Sequence, residues 1–254
     1  GAELVYRIHD LAPDPNTTVV VNCAGRTRSI IGAQTLINAG VTNKVVALRN
    51  GTMGWELAGF KIQRGQDRRA PEVSSEGLSR ARAMAERVAI RFDVKFVDSG
   101  TVDNWRARAR EKTLYLLDVR SPEEYEAGHL PGSISAPGGQ LVQATDRYVA
   151  TMGARLVLVD DTGVRATMTA HWLNQLGWDH VTVLENAFDG KVLETGVPAL
   201  EVPGLEDLPV ELILPAELEA LGEDAAVLDF ATSLEYRDGH VPGASWVVRS
   251  RLAA

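Results

Sequence analysis

Short β-branched runs alternate with helical apolar spacing along most of the chain. Thr17-Thr18-Val19-Val20-Val21-Asn22 reads as a buried strand, and Ile30 to Gly40 reads as a helix closed by a C-terminal glycine. Further on, the pattern predicts strands at 95–97, 114–118, 133–135, 155–159 and 181–184. Helices are predicted between them at 101–110, 122–127, 139–150 and 164–176. Strands separated by helical segments predict an α/β fold with a mainly parallel central sheet and helices on both faces. Segment 61–92 is charged and opens with turn chemistry at Ala70-Pro71; from Ser74 it reads as a connecting helix with Ser74 or Ser75 as N-cap.

The pattern also repeats. Gly1-Ala2-Glu3-Leu4-Val5 matches Gly138-Gly139-Gln140-Leu141-Val142, and the same offset carries Val19-Val20-Val21 onto Leu156-Val157-Leu158, Arg28 onto Arg165, Leu36 onto Leu173 and Gly40 onto Gly177. A second similarity aligns Asp118 to Gly132 with Asp229 to Gly243, keeping the Asp, Glu-Tyr, Gly-His and Pro-Gly positions in register. Residues 1–60 therefore read as the C-terminal half of one domain, 61–93 as a connecting helix and linker, 94–195 as a complete domain, and 210–254 as the N-terminal half of a further one. Two explanations fit: an excerpt of a longer tandem protein, or terminal halves that dock to rebuild a domain.

Composition narrows the function classes. The 254 residues are 45% hydrophobic and 24% charged, ordinary for a globular protein. A net charge of −8 argues against nucleic acid or an anionic membrane as the main partner. No apolar run reaches membrane-spanning length, and Gly1-Ala2-Glu3-Leu4-Val5 does not read as a signal peptide. The five histidines, His9, His129, His171, His180 and His240, show no metal-ligand spacing, so neither metal nor cofactor is expected. A single cysteine excludes an internal disulfide and fits a reducing, cytoplasmic compartment.

That cysteine, Cys23, opens the run Cys23-Ala24-Gly25-Arg26-Thr27-Arg28-Ser29 between a strand end and a helix start. Backbone N–H groups converge there and the helix dipole favours negative charge, which lowers a thiol pKa and makes a nucleophile. A thiol packed in a core is the bland alternative, but Gly, two Arg and Ser are poor core neighbours. The backbone of Ala24 through Ser29 is expected to form a concave donor nest, with Gly25 supplying backbone angles other residues avoid. Arg28 can fold back as cation and donor. Arg26 either faces solvent or meets the incoming anion, Thr27 can donate its hydroxyl, and Ser29 either donates to the site or caps the helix.

Several of these features together resemble the rhodanese (thiosulfate sulfurtransferase) family. They are Asp118-Val119-Arg120 with Glu124-Tyr125, Gly128-His129-Leu130-Pro131-Gly132, the Cys23-to-Ser29 loop, and Leu48-Arg49-Asn50-Gly51-Thr52-Met53-Gly54-Trp55. The resemblance implies tandem rhodanese-like domains in which Cys23 accepts a sulfane sulfur from thiosulfate or a similar donor as a persulfide. The outer sulfur then passes to cyanide, a thiol or an acceptor protein, with ping-pong kinetics.

Two other functions compete. A cysteine-dependent phosphatase or arsenate reductase on a related scaffold would use a Cys-x5-Arg loop. Here Arg28 lies one position short and Ser29 stands where that arginine belongs. A non-catalytic binding or regulatory array is the third reading. Its support is Asp160 at the cysteine position of the middle unit, where a carboxylate would fill the nest and pair with N–H groups and Arg165. In that unit Ala187 and Lys191 replace Gly51 and Trp55. His129 and His240 are expected to bond backbone, Asp118 and Asp229 to bond turn N–H groups, and Trp55, Trp172 and Trp246 to pack.

Overall fold

The computed structural model describes residues 1–198 and 210–248, which belong to two compact units, Gly1–Pro198 and Ala199–Ala254. The last residues of the expected 210–254 piece, 249–254, lie outside the described residues.

The first unit begins with α1 (Ala2–Leu11), β1 (Val19–Val21), α2 (Thr27–Ala39), β2 (Val45–Ala47) and α3 (Gly51–Leu57). β1 and β2 pair in parallel with Val19 opposite Val45, forming a two-stranded sheet among the described residues. Gly40 closes α2 in the left-handed conformation at φ 78°, where no other residue is as cheap. The long α4 (Ser75–Arg91) follows, with the Ser74 hydroxyl accepting from the Gly77 amide at 2.9 Å.

Beyond α4 come β3 (Lys95–Val97), α5 (Ser99–Ala107), β4 (Leu114–Asp118), α6 (Pro122–Ala127), β5 (Ile134–Ser135), α7 (Gly138–Gln143), β6 (Arg155–Val159), α8 (Val164–Gln175) and β7 (Val181–Leu184). The strands form a parallel sheet in the order β3-β7-β6-β4-β5. β6 runs at its centre, which explains why Leu156, Val157, Leu158 and Val159 are all apolar and all buried. One core beneath the sheet gathers Leu117, Leu141, Leu158, Ala166 and Leu173; another on the opposite face gathers Val102, Leu116, Val157 and Leu184. A third core joins α1, α2 and α4 to Val164 and Met168 of α8, so the helices around the Cys23 loop and the five-stranded sheet region share buried apolar surface.

The second unit contains α9 (Pro215–Leu221), β8 (Leu228–Asp229), α10 (Ser233–Asp238) and β9 (Ser245–Trp246). β8 pairs with β9 in parallel, Leu228 opposite Ser245. β4 pairs with β5 in the same relation, Leu117 opposite Ile134.

Three expectations need correction. The helix expected at 139–150 ends at Gln143, and a single tight turn follows over Thr145–Arg147. The backbone leaves the helical region at Ala144, φ −145° and ψ 61°, and beyond it the Thr145 hydroxyl bonds back to the Leu141 carbonyl at 2.8 Å. The helix expected at 101–110 starts earlier, at Ser99, because Asp98 caps it through the Thr101 amide at 2.7 Å. The strand read over Thr17–Asn22 is confined to Val19–Val21 and is not wholly buried: Val20 is 55% exposed.

Candidate functional site

The loop carrying Cys23 hangs from the end of β1 and enters α2 at Thr27. Its carbonyl groups are held from below by the start of α3. The Thr52 amide donates to the Cys23 carbonyl at 2.9 Å and the Met53 amide to the Ala24 carbonyl at 3.1 Å. Asn22 donates to the Thr52 hydroxyl at 3.0 Å. With the carbonyls engaged on that side, the amides of Gly25 and Ser29 are left to point at the sulfur.

This arrangement needs a glycine, but not the expected one. Gly25 does not adopt a positive φ, and a Cβ there would meet nothing within 4 Å. Thr162 occupies the matching position of the other repeat. The demanding position is Gly51, with φ 58°. A Cβ there would stand 2.6 Å from the Gly25 carbonyl oxygen and collide with that of Cys23. The sequence signal was the Gly51-to-Trp55 stretch, whose role beneath the loop only the backbone contacts reveal.

The thiol is partly exposed, and its pKa is lowered. The hydrogen bond to the Ser29 hydroxyl contributes most, opposed by desolvation and aided by the Ser29 and Gly25 amides and the Arg28 charge. Cys23 Sγ and Ser29 Oγ are 3.5 Å apart, while Ser29 Oγ also donates to the Arg26 carbonyl at 2.9 Å. One hydroxyl proton cannot serve both acceptors, so ionisation of the thiol would draw it toward sulfur.

The loop brings together Cys23, Gly25, Ser29 and Arg28. Arg26 occupies the N-cap position of α2 and is exposed; Thr27 is exposed, and no hydrogen bond ties it to the sulfur. Ala24 contributes its carbonyl to the support beneath the loop rather than a donor above it. Ser29 does not cap α2; it lies within the first turn and bonds back to Arg26.

The other repeat has the same loop with opposite chemistry. Asp160 is buried, and its carboxylate accepts from the Gly163 amide at 2.9 Å, the Arg165 amide at 3.0 Å and the Thr162 hydroxyl at 2.9 Å. Burial pushes the Asp160 pKa up despite these bonds. The Arg165 guanidinium turns away from it. Arg165 Nη1 lies 2.7 Å from both Glu3 and Glu124, Nη2 lies 2.7 Å from Asp161, and Nε has no hydrogen-bond partner, 3.9 Å from Asp160. Burial raises the Glu124 pKa, but bonds from Arg165 and the Ser121 amide prevail and bring it to about 2. A cleft of about 600 Å³ over this loop is lined by Asp160, Asp161, Glu185 and Asp189. Glu185 stands where the sequence of the Cys23 segment has Arg49.

The remaining conspicuous residues are structural. His129 stacks on Tyr125 at 3.8 Å and bonds the Tyr125 carbonyl, and His240 repeats this on Tyr236 at 3.9 Å. Asp118 and Asp229 accept from the amides of Arg120 and Ala231. Asp118 also forms a buried ion pair with Arg120, 2.7 Å, that the sequence did not announce. Trp172 donates to Thr35, while Trp55 and Trp246 remain 44% and 43% exposed and are not core residues. Among the described residues no group of three or more His, Cys, Asp or Glu could hold a metal ion, and no helix is long and apolar enough to cross a membrane.

A parallel α/β sheet domain, together with a thiol on a helix-entry loop faced by two amides, defines the class. Residues 101–192 match the family model of the rhodanese-like domain. A crystal structure of a thiosulfate sulfurtransferase from Pseudomonas aeruginosa matches at 52% identity and a TM-score of 0.89, covering 99% of this chain. The chain spans about half of that protein's length, 48%. A human single-domain sulfurtransferase matches at 24% identity, covering 37% of this chain and 92% of its own, with a TM-score of 0.33. For a rhodanese from E. coli the values are 21%, 33%, 100% and 0.30. No curated protein sequence matches the chain.

Proposed function

We propose that the chain is a sulfurtransferase acting through Cys23. The observation that carries the reading is the Cys23 loop: a thiol with a lowered pKa, faced by two amides and an arginine. The thiolate attacks the outer sulfur of thiosulfate or a similar donor, forming a Cys23–S–S⁻ persulfide and releasing sulfite. Cyanide or a thiol then takes the outer sulfur and the thiolate returns. Gly25, Arg28 and Ser29 face the anion in this reading, Arg26 and Thr27 flank its approach, and Ala24 holds the loop from beneath through its carbonyl.

We also read 1–60 as the C-terminal half of the catalytic rhodanese-like domain, 61–93 as its connecting helix and linker, 94–195 as a complete domain lacking the cysteine, and 210–254 as the N-terminal half of another. Support comes from parallel pairing of β1 with β2 that repeats β6 with β7, and from the stacked Tyr–His pairs shared by α6 and α10. An acceptor protein and a cytoplasmic setting fit the unpaired thiol. The second reading, a binding module, applies to the Asp160 repeat, where the carboxylate already fills the nest.

The test is incubation with thiosulfate, followed by intact mass and by thiocyanate production with cyanide. The protein should gain the mass of one sulfur atom and Cys23→Ser should gain none. Sulfur uptake that survives the substitution, or none by the intact thiol, overturns the proposal.

A further inference from the structure

The offset that carries Glu3 onto Gln140 also carries Arg28 onto Arg165. In one direction this pair is closed: Glu3, on α1, reaches across to α8 and holds Arg165 at 2.7 Å. The reciprocal pair faces the same packed helices. Gln140 on α7 and Arg28 on α2 line one small cavity of about 90 Å³, together with Gly1, Gly139 and Trp172. There the carboxylate has become a neutral amide. Arg28 forms no ion pair or side-chain hydrogen bond among the described residues, and its charge helps lower the Cys23 pKa.

We propose that Gln140, contributed by the repeat that lacks the cysteine, sets the anion preference of the Cys23 loop. Being uncharged, it leaves the Arg28 charge uncompensated, so the loop selects small sulfur oxyanions over neutral sulfur donors. A carboxylate at this position would clamp Arg28 as Glu3 clamps Arg165. Gln140 is thus a positioning residue acting through Arg28, and the substrate class rests on the sulfurtransferase reading.

Two variants of opposite charge test this in the full chain. Gln140→Glu should raise the thiosulfate KM about three- to fivefold with kcat little changed, the scale of one added partly exposed ion pair. Gln140→Lys should lower it. A second readout needs no turnover: the ratio of Cys23 alkylation rates with anionic iodoacetate and neutral iodoacetamide. That ratio should fall in Gln140→Glu and rise in Gln140→Lys. Structural damage would move both variants the same way, and that outcome, or an unmoved ratio, overturns the proposal. Absence of thiocyanate from every form, wild type included, would instead sink the sulfurtransferase reading and leave the alkylation test standing.

Discussion

Gly51→Ala is expected to damage the candidate site without replacing any residue that faces the thiol. Gly51 lies at φ 58°, and a Cβ would press on the carbonyl oxygens of Cys23 and Gly25. The proper control is Gly40→Ala, where φ is 78° and a Cβ meets nothing within 4 Å. Gly40→Ala should cost only the left-handed backbone conformation, about 1 kcal/mol. Gly51→Ala carries that cost plus overpacking of about 1–3 kcal/mol, about 2–4 kcal/mol together. For a unit of this size the two substitutions should lower Tm by about 2–4 °C and about 5–15 °C respectively. Relief of the collision requires the Cys23 loop to lift from α3, breaking the bonds from the Thr52 and Met53 amides and turning the donors away from sulfur. Iodoacetamide alkylation of Cys23 at neutral pH should therefore slow by about tenfold or more in Gly51→Ala alone. Equal Tm losses and equal alkylation rates in the two variants would refute the argument that Gly51 supports the loop by close approach.

Other outcomes follow from the same geometry. Ser29→Ala removes the main influence lowering the Cys23 pKa; the thiolate fraction falls, neutral-pH alkylation should slow about fivefold, and its pH profile should move to higher pH. An unshifted profile would assign the lowering to the amides and Arg28. Arg165→Met leaves Glu3, Glu124 and Asp161 without their shared cation and should cost about 3–5 kcal/mol in urea unfolding. A loss under about 1 kcal/mol would mean those carboxylates find protons or water instead. His171 is buried against α2 and α4, its ring bonded to the Met168 carbonyl and to Asn38, and burial lowers its pKa from 6.5 to about 4. The unfolded chain takes up that proton first, so stability falls as pH drops from 6.5 to 4, by about 3 kcal/mol in all. A urea midpoint unchanged between pH 7 and pH 4.5 would contradict this.

Much of the architecture was legible because it is written in local periodicity. The all-apolar run of β6, the turn chemistry around Gly40 and Ser74, and the repeat offsets each reflect one physical requirement acting over a few neighbours. The helix expected at 139–150 stops short because the backbone leaves the helical region at Ala144, which apolar spacing does not register. The glycine of the Cys23 loop was misassigned for a related reason. Gly25 adjoins the cysteine in sequence, whereas the crowded backbone belongs to Gly51, brought under the loop from the end of β2.

The sequence alone determined the alternation of strands and helices, the repeat, and the thiol between a strand end and a helix start, since these depend on residues close along the chain. Only the tertiary structure decided which partners the charges took. Arg165 and Arg28 occupy matching positions, yet one is buried among carboxylates of α1, α6 and its own loop while the other shares a small cavity with the neutral Gln140. That difference is electrostatic and acts between residues far apart in sequence, so it exists only once the helices have packed.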